Sequence, residues 1–90
     1  MDYTFRIQER DENHGMFLLE QKQKTLAWME YVTTPEDPGS ITIIHTEVDP
    51  SQKGLGLGKI LLQEVQQYIT KNHMNLVAQC PYVQSQLKKT

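Results

Sequence analysis

The sequence predicts one small α+β domain built on a mixed β-sheet of about five strands, the first four antiparallel and the last two parallel. Three patterns predict it. Apolar and polar side chains alternate through the first half of the 90 residues, as they do in half-buried strands. The period then changes to three and four residues in one long segment, which is typical of an amphipathic helix. A short apolar run and a second helical segment complete the order of four strands, helix, strand and helix.

The first three strands lie near the start of the chain. In the first strand, Tyr3, Phe5 and Ile7 alternate with polar residues. A polar turn follows, in which Gly15 is available for a positive φ. The second and third strands flank a short polar connection, and such connections join antiparallel neighbours. We place the three strands at residues 3–8, 16–20 and 24–32.

A loop and the clearest strand of the chain come next. Residues 34–39 contain two prolines and a glycine, so they are predicted to form a loop. The fourth strand covers residues 41–48, where six of the eight side chains are β-branched. Because β-branched side chains favour an extended backbone, the composition of this segment predicts a strand.

One long helix links the fourth strand to a short fifth strand. Its apolar stripe recurs at three- and four-residue spacing and ends near Asn72 and His73. Strands joined through a helix pair in parallel by a right-handed crossover. The carboxyl ends of the two strands therefore lie side by side, which brings Cys80 toward the segment after Val48. The stripe consists of Leu57, Leu61, Val65, Tyr68 and Ile69, the fifth strand covers residues 76–78, and the last helix covers residues 82–89.

Composition excludes several classes of protein. The formal net charge is −2 and acids and bases are intermixed, so the chain lacks the basic surface of a nucleic-acid binder. Its longest apolar run is about four residues, far short of the roughly 20 that span a membrane. One cysteine allows neither an internal disulfide nor a zinc cluster, and no signal region begins the chain. We expect a single domain over residues 1–90 that is cytoplasmic and metal-free. The sequence is compatible with a monomer but leaves the oligomeric state open.

The most informative segment is the glycine turn, residues 53–59, between the fourth strand and the long helix. A strand, a glycine turn and a helix start together present free backbone N–H groups to an anion. A Walker A loop would need glycine at Lys53 and a hydroxyl residue at Ile60, and dinucleotide-binding spacing fails as well. What fits is a basic residue, two positions and Gly-x-Gly, which we expect to hold a pyrophosphate. A tight turn that holds nothing is the competing interpretation.

This turn, with His45-Thr46 before it and Cys80-Pro81-Tyr82-Val83 after it, resembles the small single-domain group of the GNAT superfamily of N-acetyltransferases. The resemblance covers the whole chain in element order. It implies the GNAT-like acyl-CoA fold, acetyl-CoA or coenzyme A as cosubstrate, and an unidentified amine as acceptor. The family's usual Arg or Gln is Lys53 here, which keeps the charge but loses the guanidinium fork. The implied cofactor-binding residues are Thr46, Val48, Lys53, Gly54, Leu55, Gly56, Leu57, Gly58 and Lys59.

Four residues are candidates for the chemistry that the resemblance implies. Acetyl transfer to an amine needs a base for the amine and an acid for the departing thiolate. His45 is a candidate base because histidine exchanges protons near neutral pH, and Glu47 is the alternative. Cys80 is a candidate acyl carrier or a lining residue, and Tyr82 is a candidate acid. Each also has a plain structural interpretation: a hydrogen-bonded histidine, a solvated carboxylate, a small buried hydrophobe and a packed aromatic. We place His45 on one strand face with Ile43 and Glu47, from which it could approach Cys80.

Three functions therefore compete. The first is an acetyl-CoA-dependent N-acetyltransferase that acts on an unidentified amine. The second is a coenzyme A or acyl-CoA-binding module without efficient catalysis. A reduced acceptor site favours this second function, because larger family members carry further strands and loops around that site. The third is an interaction domain whose glycine turn holds nothing. We expect no nucleic acid and no membrane as partners.

Overall fold

A computed structural model describes residues 3–88 as one five-stranded sheet with two helices packed against it. The elements are β1 (Thr4–Asp11), β2 (His14–Gln21), β3 (Lys24–Thr34), β4 (Asp37–Val48), a short 3-10 turn (Pro50–Gln52), α1 (Leu57–Lys71), β5 (Asn75–Ala78) and α2 (Pro81–Lys88). The strands lie in the order β1-β2-β3-β4-β5. The first four are antiparallel, and β5 pairs in parallel with β4 after the chain crosses through α1. This confirms the predicted fold class.

The hairpin between β2 and β3 is tighter than predicted. Only Lys22 and Gln23 join the two strands, both at positive φ (51° and 67°), which matches the twist of a two-residue hairpin. Gly15 does not use the positive φ that its turn position suggests. It lies inside β2 opposite Tyr31, whose ring fills the space that a side chain at residue 15 would need.

The connection between β3 and β4 is also shorter than predicted. β4 begins at Asp37, so the loop predicted over residues 34–39 shrinks to a two-residue turn. Pro38 is tolerated inside β4 because pairing with β5 begins only at Ser40, which leaves one edge of the strand without a neighbour there.

Alternation along the strands separates two faces of the sheet. On the helix face, Phe17, Met29 and Ile43 are completely buried in the core that the helices cover. Trp28 and Glu30 flank Met29 along β3 and therefore lie on the opposite side, the open face. Both helices contribute buried residues to the core on the helix face. Within residues 3–88, no helix covers the open face.

The apolar stripe of α1 is buried as predicted. Four of its residues are at most 5% exposed and Tyr68 is partly buried, while Leu62 joins the same core. Full burial of each such side chain contributes roughly 1.5–3 kcal/mol, which holds α1 against the sheet. The helix ends at Lys71, and the Asn72 side chain donates to the Tyr68 carbonyl at 2.8 Å.

Helix α2 lies beside α1 and starts at Pro81, one residue earlier than predicted. Proline suits a first helical position because the missing N–H has no partner there in any case. Val83 is completely buried and anchors α2 to the core. The predicted end of this helix at Lys89 lies outside the described residues.

Candidate functional site

The candidate site lies where β4 and β5 part. The two strands pair only over residues 40–43 of β4 and 75–78 of β5. β5 then ends, and the N–H of Cys80 donates to the carbonyl of Ile43 at 3.0 Å. β4 runs on to Val48, so its last residues have no strand beside them on this edge. A gap therefore opens between the end of β4 and the start of α2.

A β-bulge in β4 decides which side chains face the helices. Glu30 pairs with His45 and Tyr31 pairs with Ile43, so Ile44 is an extra residue in β4. The bulge leaves Ile43 on the helix face and puts His45 on the open face. Simple alternation predicts one face for both residues, and this prediction is wrong because the extra residue shifts the alternation by one.

Beyond the bulge, Thr46 lies on the helix face because it pairs with Met29. There the thiol of Cys80 donates to the hydroxyl oxygen of Thr46 at 3.3 Å, across the gap. Cys80 is only 4% exposed and belongs to the hydrophobic core. His45 lies on the other side of the sheet, so the structure does not bring it to Cys80.

Asp49 fixes the short 3-10 turn that leads into the glycine turn. Its N–H donates to the Leu26 carbonyl at 2.8 Å, and its carboxylate accepts from the N–H and the hydroxyl of Ser51 at 2.9 and 2.8 Å. The Lys24 ammonium lies 3.4 Å away. The two Ser51 hydrogen bonds, and then Lys24, hold the pKa of the Asp49 carboxyl below its usual value. The turn is thus tied to the beginning of β3.

The glycine turn is open and its amides are unpaired. Gly54 and Gly56 have φ values of 86° and 72°, a region that favours glycine. A Cβ at either position would meet no atom within 4 Å. Gly56 caps α1 without a side-chain bond, and among residues 3–88 no hydrogen bond has an N–H of residues 54–59 as its donor. These amides, the helix dipole and the exposed Lys53 and Lys59 make an arrangement that attracts anions.

A cleft of about 370 Å³ lies beside this turn. Its walls come from the end of β4, the glycine turn, the first turn of α1 and the start of α2. Gln52 also lines the cleft, although it was not among the predicted cofactor-binding residues. Its position directly before Lys53 could have indicated this role. The lining residues are Val48, Gln52, Lys53, Gly54, Gly56, Leu57, Gly58 and Tyr82.

Three predicted cofactor residues lie outside the cleft. Leu55 is 60% exposed on the turn. Lys59 lines a separate small pocket between α1 and α2. Thr46 is engaged with Cys80 at the gap.

Tyr82 packs against Gly58 at the start of α1. A Cβ at residue 58 would lie 2.6 Å from the Tyr82 hydroxyl oxygen and 2.9 Å from its Cζ. Burial raises the pKa of the Tyr82 phenol, and the neighbouring Cys80 adds to this effect. Gly58 therefore makes room for an aromatic ring as well as shaping the turn. Glycine spacing alone could not reveal this packing, because the ring comes from a distant part of the chain.

His45 and Glu47 form a polar pair on the open face. The His45 Nε2 and the Glu47 Oε1 are 3.6 Å apart, and the two side chains are 54% and 44% exposed. The four predicted catalytic residues thus divide between the faces, because Cys80 and Tyr82 lie on the helix side of the gap.

Other surfaces carry less chemistry. Within the described part of the chain, no three His, Cys, Asp or Glu side chains are placed to hold a metal ion. None of the helices described there is both long enough and apolar enough to cross a bilayer. A wider depression of about 700 Å³ follows the outer surface of α1, but its lining is four polar uncharged side chains and Lys71.

Comparison with known proteins identifies the family. The profile of the GCN5-related N-acetyl-transferase family matches residues 16–90. No curated protein sequence is significantly similar to the chain. A structure described as a GNAT-family acetyltransferase from Desulfovibrio desulfuricans matches with 22% identity and a TM-score of 0.62, over 73% of this chain and 43% of that one. The ribosomal-protein-S18-alanine N-acetyltransferase of Escherichia coli matches with 25% identity and a TM-score of 0.59, over 70% and 39%.

The chain therefore aligns with less than half the length of either solved structure. The two structural matches agree with the observed fold, and the family profile covers most of the sequence. The chain belongs to the GCN5-related N-acetyltransferase (GNAT) family.

Proposed function

We propose that this chain is an acetyl-CoA-dependent N-acetyltransferase that transfers an acetyl group to an amine. The observation that carries the proposal is the glycine turn, with two left-handed glycines and unpaired amides at the start of α1. Helix starts of this kind bind phosphate groups. Membership of the GNAT family supports acetyl-CoA as the source of those phosphates.

In this proposal the cleft holds the pyrophosphate and the pantetheine arm. The amides of residues 54–59 surround the pyrophosphate, and Lys53 adds positive charge. The bare backbone at Gly54 and Gly56 leaves room for it. On the edge away from β3, the end of β4 has no strand beside it, so residues 46–48 offer main-chain groups to the pantetheine arm on that edge. The thioester then lies in the gap near Thr46.

The proposed reaction is direct transfer. The amine nitrogen forms a bond to the acetyl carbonyl carbon, and the carbon–sulfur bond breaks. His45 or Glu47 takes the proton that leaves the amine. Tyr82 gives a proton to the departing thiolate. A tyrosine phenol has an ordinary pKa of about 10, so Tyr82 is protonated at neutral pH, and burial, which raises its pKa, keeps it so.

We assign Cys80 to the lining of the thiol end of the site. It is 4% exposed and donates to Thr46. A thiol that donates a hydrogen bond from a buried position is a poor acyl carrier, since the thiolate is the nucleophile. This supports a lining role over a covalent one.

One observation favours a second candidate function, a coenzyme A-binding module without efficient catalysis. Among residues 3–88, no helix covers the open face beside the gap. A reduced acceptor site would bind the cofactor and turn it over slowly. The unpaired amides argue against the third candidate, an interaction domain whose turn holds nothing.

Calorimetric titration with coenzyme A and acetyl-CoA tests the cleft. We expect saturable binding that Lys53→Gln and Lys59→Gln each weaken by about fivefold, because one exposed charge contributes about 1 kcal/mol. Lys71→Gln, at the other end of α1, is the matched control and should bind like the wild type. No heat and no thermal shift at millimolar ligand would contradict both the enzyme and the binding module.

Release of free thiol from acetyl-CoA with a panel of amines then separates enzyme from binding module. We expect His45→Ala or Glu47→Gln to lower the rate by roughly a hundredfold or more, as loss of a general base does. Cys80→Ala should retain activity if Cys80 only lines the site. Rates at the uncatalysed background, in a sample that binds acetyl-CoA, would select the binding module.

A further inference from the structure

We propose that a second ligand site lies on the helix face, at the opposite end of α1 from the glycine turn, and that it takes a guanidinium group. The site is a cavity of about 190 Å³, which we call the distal pocket. It lies where β1 and β3 end and β2 begins, beside the last turn of α1. It shares no lining residue with the cleft at the glycine turn, so the site does not depend on acetyl-CoA binding.

A buried hydroxyl without a partner indicates that a ligand belongs in this pocket. Tyr31 lines the pocket and is only 9% exposed, and its hydroxyl takes part in no hydrogen bond among residues 3–88. The ring is fixed in place, because it packs on Phe17 at a centroid distance of 4.7 Å and lies over Gly15. A hydroxyl that is withdrawn from water without a new partner costs free energy. A polar ligand in the distal pocket supplies that partner.

Two carboxylates beside the hydroxyl make the pocket negative. Gly15, under the Tyr31 ring, pairs with Glu9 of β1, which places the Glu9 side chain next to the hydroxyl. Burial raises the pKa of the Tyr31 phenol, and the charge of Glu9 adds to this effect. Glu12 lines the same cavity. Within the described part of the chain, neither glutamate side chain forms an ion pair.

The surrounding basic groups do not neutralise this charge. Of the described residues, no lysine or arginine lines the distal pocket. The His14 Nδ1 is engaged with the Asp11 carboxylate at 3.0 Å. Arg10 lies on the open face, where its guanidinium contacts the sulfur of Met16 at 3.4 Å, and Lys71 lines the outer surface of α1. The last turn of α1 adds partial negative charge, because the carboxyl end of a helix is the negative end of its dipole.

These groups suit a guanidinium better than other cations. A guanidinium is planar and carries several N–H donors, so one group can bond a carboxylate with two donors and a hydroxyl with another. Its flat face stacks on aromatic rings, and Tyr68 supplies a ring at the wall of the pocket. Ile41 and Met74 add apolar wall for the carbon stem. A metal ion does not fit, because among residues 3–88 no three His, Cys, Asp or Glu side chains converge.

An NMR titration with methylguanidinium tests the distal pocket in the full chain without any cofactor. We expect the ring resonances of Tyr31 and Tyr68 to shift in a saturable way. Tetramethylammonium carries the same charge but no N–H donor, so it should bind at least about fivefold more weakly. Equal binding of the two cations, or no saturable shift at millimolar methylguanidinium, would overturn the proposal.

Matched variants place the binding at this pocket. Tyr31→Phe keeps the ring and removes the hydroxyl, and Glu9→Gln removes one charge. Each should weaken methylguanidinium by about fivefold, read from the Tyr68 ring. The controls are Tyr3→Phe, before β1, and Glu30→Gln, on the open face, which should bind like the wild type. A thermal melt confirms that each variant is folded. Equal weakening by the controls would contradict the assigned site.

Two sources present a guanidinium group: a free small molecule and an arginine side chain of a partner protein. Butylguanidinium and N-acetylarginine N-methylamide carry the group on similar stems, but only the second has a peptide backbone. Tighter binding of the blocked arginine supports the site with a protein side chain as its ligand. Binding of butylguanidinium that is equal or tighter supports the site with a small molecule as its ligand. If neither compound binds, the pocket takes no guanidinium on a stem and the proposal is wrong.

Discussion

The two faces of the sheet present neighbouring residues of β4 to very different surroundings. On the helix face, Thr46 meets a cysteine that is 4% exposed, and Met29 opposite it is completely buried. On the open face, the side chains of His45 and Glu47 are 54% and 44% exposed. One extra residue at the bulge produces this arrangement, because it reverses the alternation after Ile43.

Because its two sheet faces differ in this way, a domain of this size can serve two ligands. The helix face supplies the core and, through the glycine turn, the amides that we assign to the cofactor. The open face contributes Leu18, which is buried outside the main core cluster, and keeps the charged groups of His45 and Glu47 largely in solvent. In our proposals the two faces meet at the gap at the end of β4. Substitutions on each face test whether the two faces have these separate roles.

The largest effect should come from the buried side of β3. Met29→Ala leaves a cavity in the core and should lower the free energy of unfolding by about 2–5 kcal/mol. Glu30→Ala, the next residue on the open face, should change it by less than about 0.5 kcal/mol. Urea unfolding measures both. Similar losses for the two variants would mean that the open face is packed as well.

A smaller effect is expected at the contact between α1 and α2. Gly58→Ala forces the Tyr82 ring to move, which costs about 1–3 kcal/mol, and gains up to about 1 kcal/mol in helix propensity. We therefore expect a net loss of about 1 kcal/mol in urea unfolding.

The sign of this effect should reverse without the ring. In a Tyr82→Ala background, Gly58→Ala should be neutral or stabilising. Gly39→Ala is the control, since a Cβ there would meet nothing within 4 Å. A loss that persists in the Tyr82→Ala background would show that backbone geometry, not packing, requires Gly58.

The hydrogen bond between Cys80 and Thr46 should contribute less to the free energy of unfolding than the contact between Gly58 and Tyr82. Thr46→Val removes the oxygen that accepts from Cys80 and should lower the free energy of unfolding by about 0.5–1.5 kcal/mol. Glu47→Gln, one residue along on the open face, should not change it measurably. Urea unfolding of the two variants provides the comparison, and an unchanged Thr46→Val would mean that the gap is held by backbone bonds alone.

The smallest effect should be the pH dependence that Asp49 confers. Its folded pKa is lowered, so its contribution to stability is present above the unfolded value of about 3.9 and is lost as pH falls through the folded value. The difference in urea midpoint between the wild type and Asp49→Asn should therefore be largest near neutral pH and should vanish below about pH 4. Asp37→Asn is the control. A difference in urea midpoint that grows in acid would contradict the lowered pKa of Asp49.

Much of the fold could be predicted because it depends on local signals. The apolar stripe predicts α1 and the β-branched run predicts β4, in each case from residues within the element itself. The predicted loop at residues 34–39 was too long because Pro38 is allowed wherever a strand edge lacks a neighbour. The site was harder: Gln52 lines the cleft and Leu55 does not, although both lie in or beside the motif.

The order of the elements, the buried stripe and the glycine turn can be predicted from the sequence alone, because periodicity and glycine spacing act over a few residues. The sequence could not predict that His45 turns away from Cys80, that Tyr82 lies over Gly58, or that two carboxylates share the open face with Trp28. These facts depend on a bulge and on register between strands, which bring together side chains from separate parts of the chain.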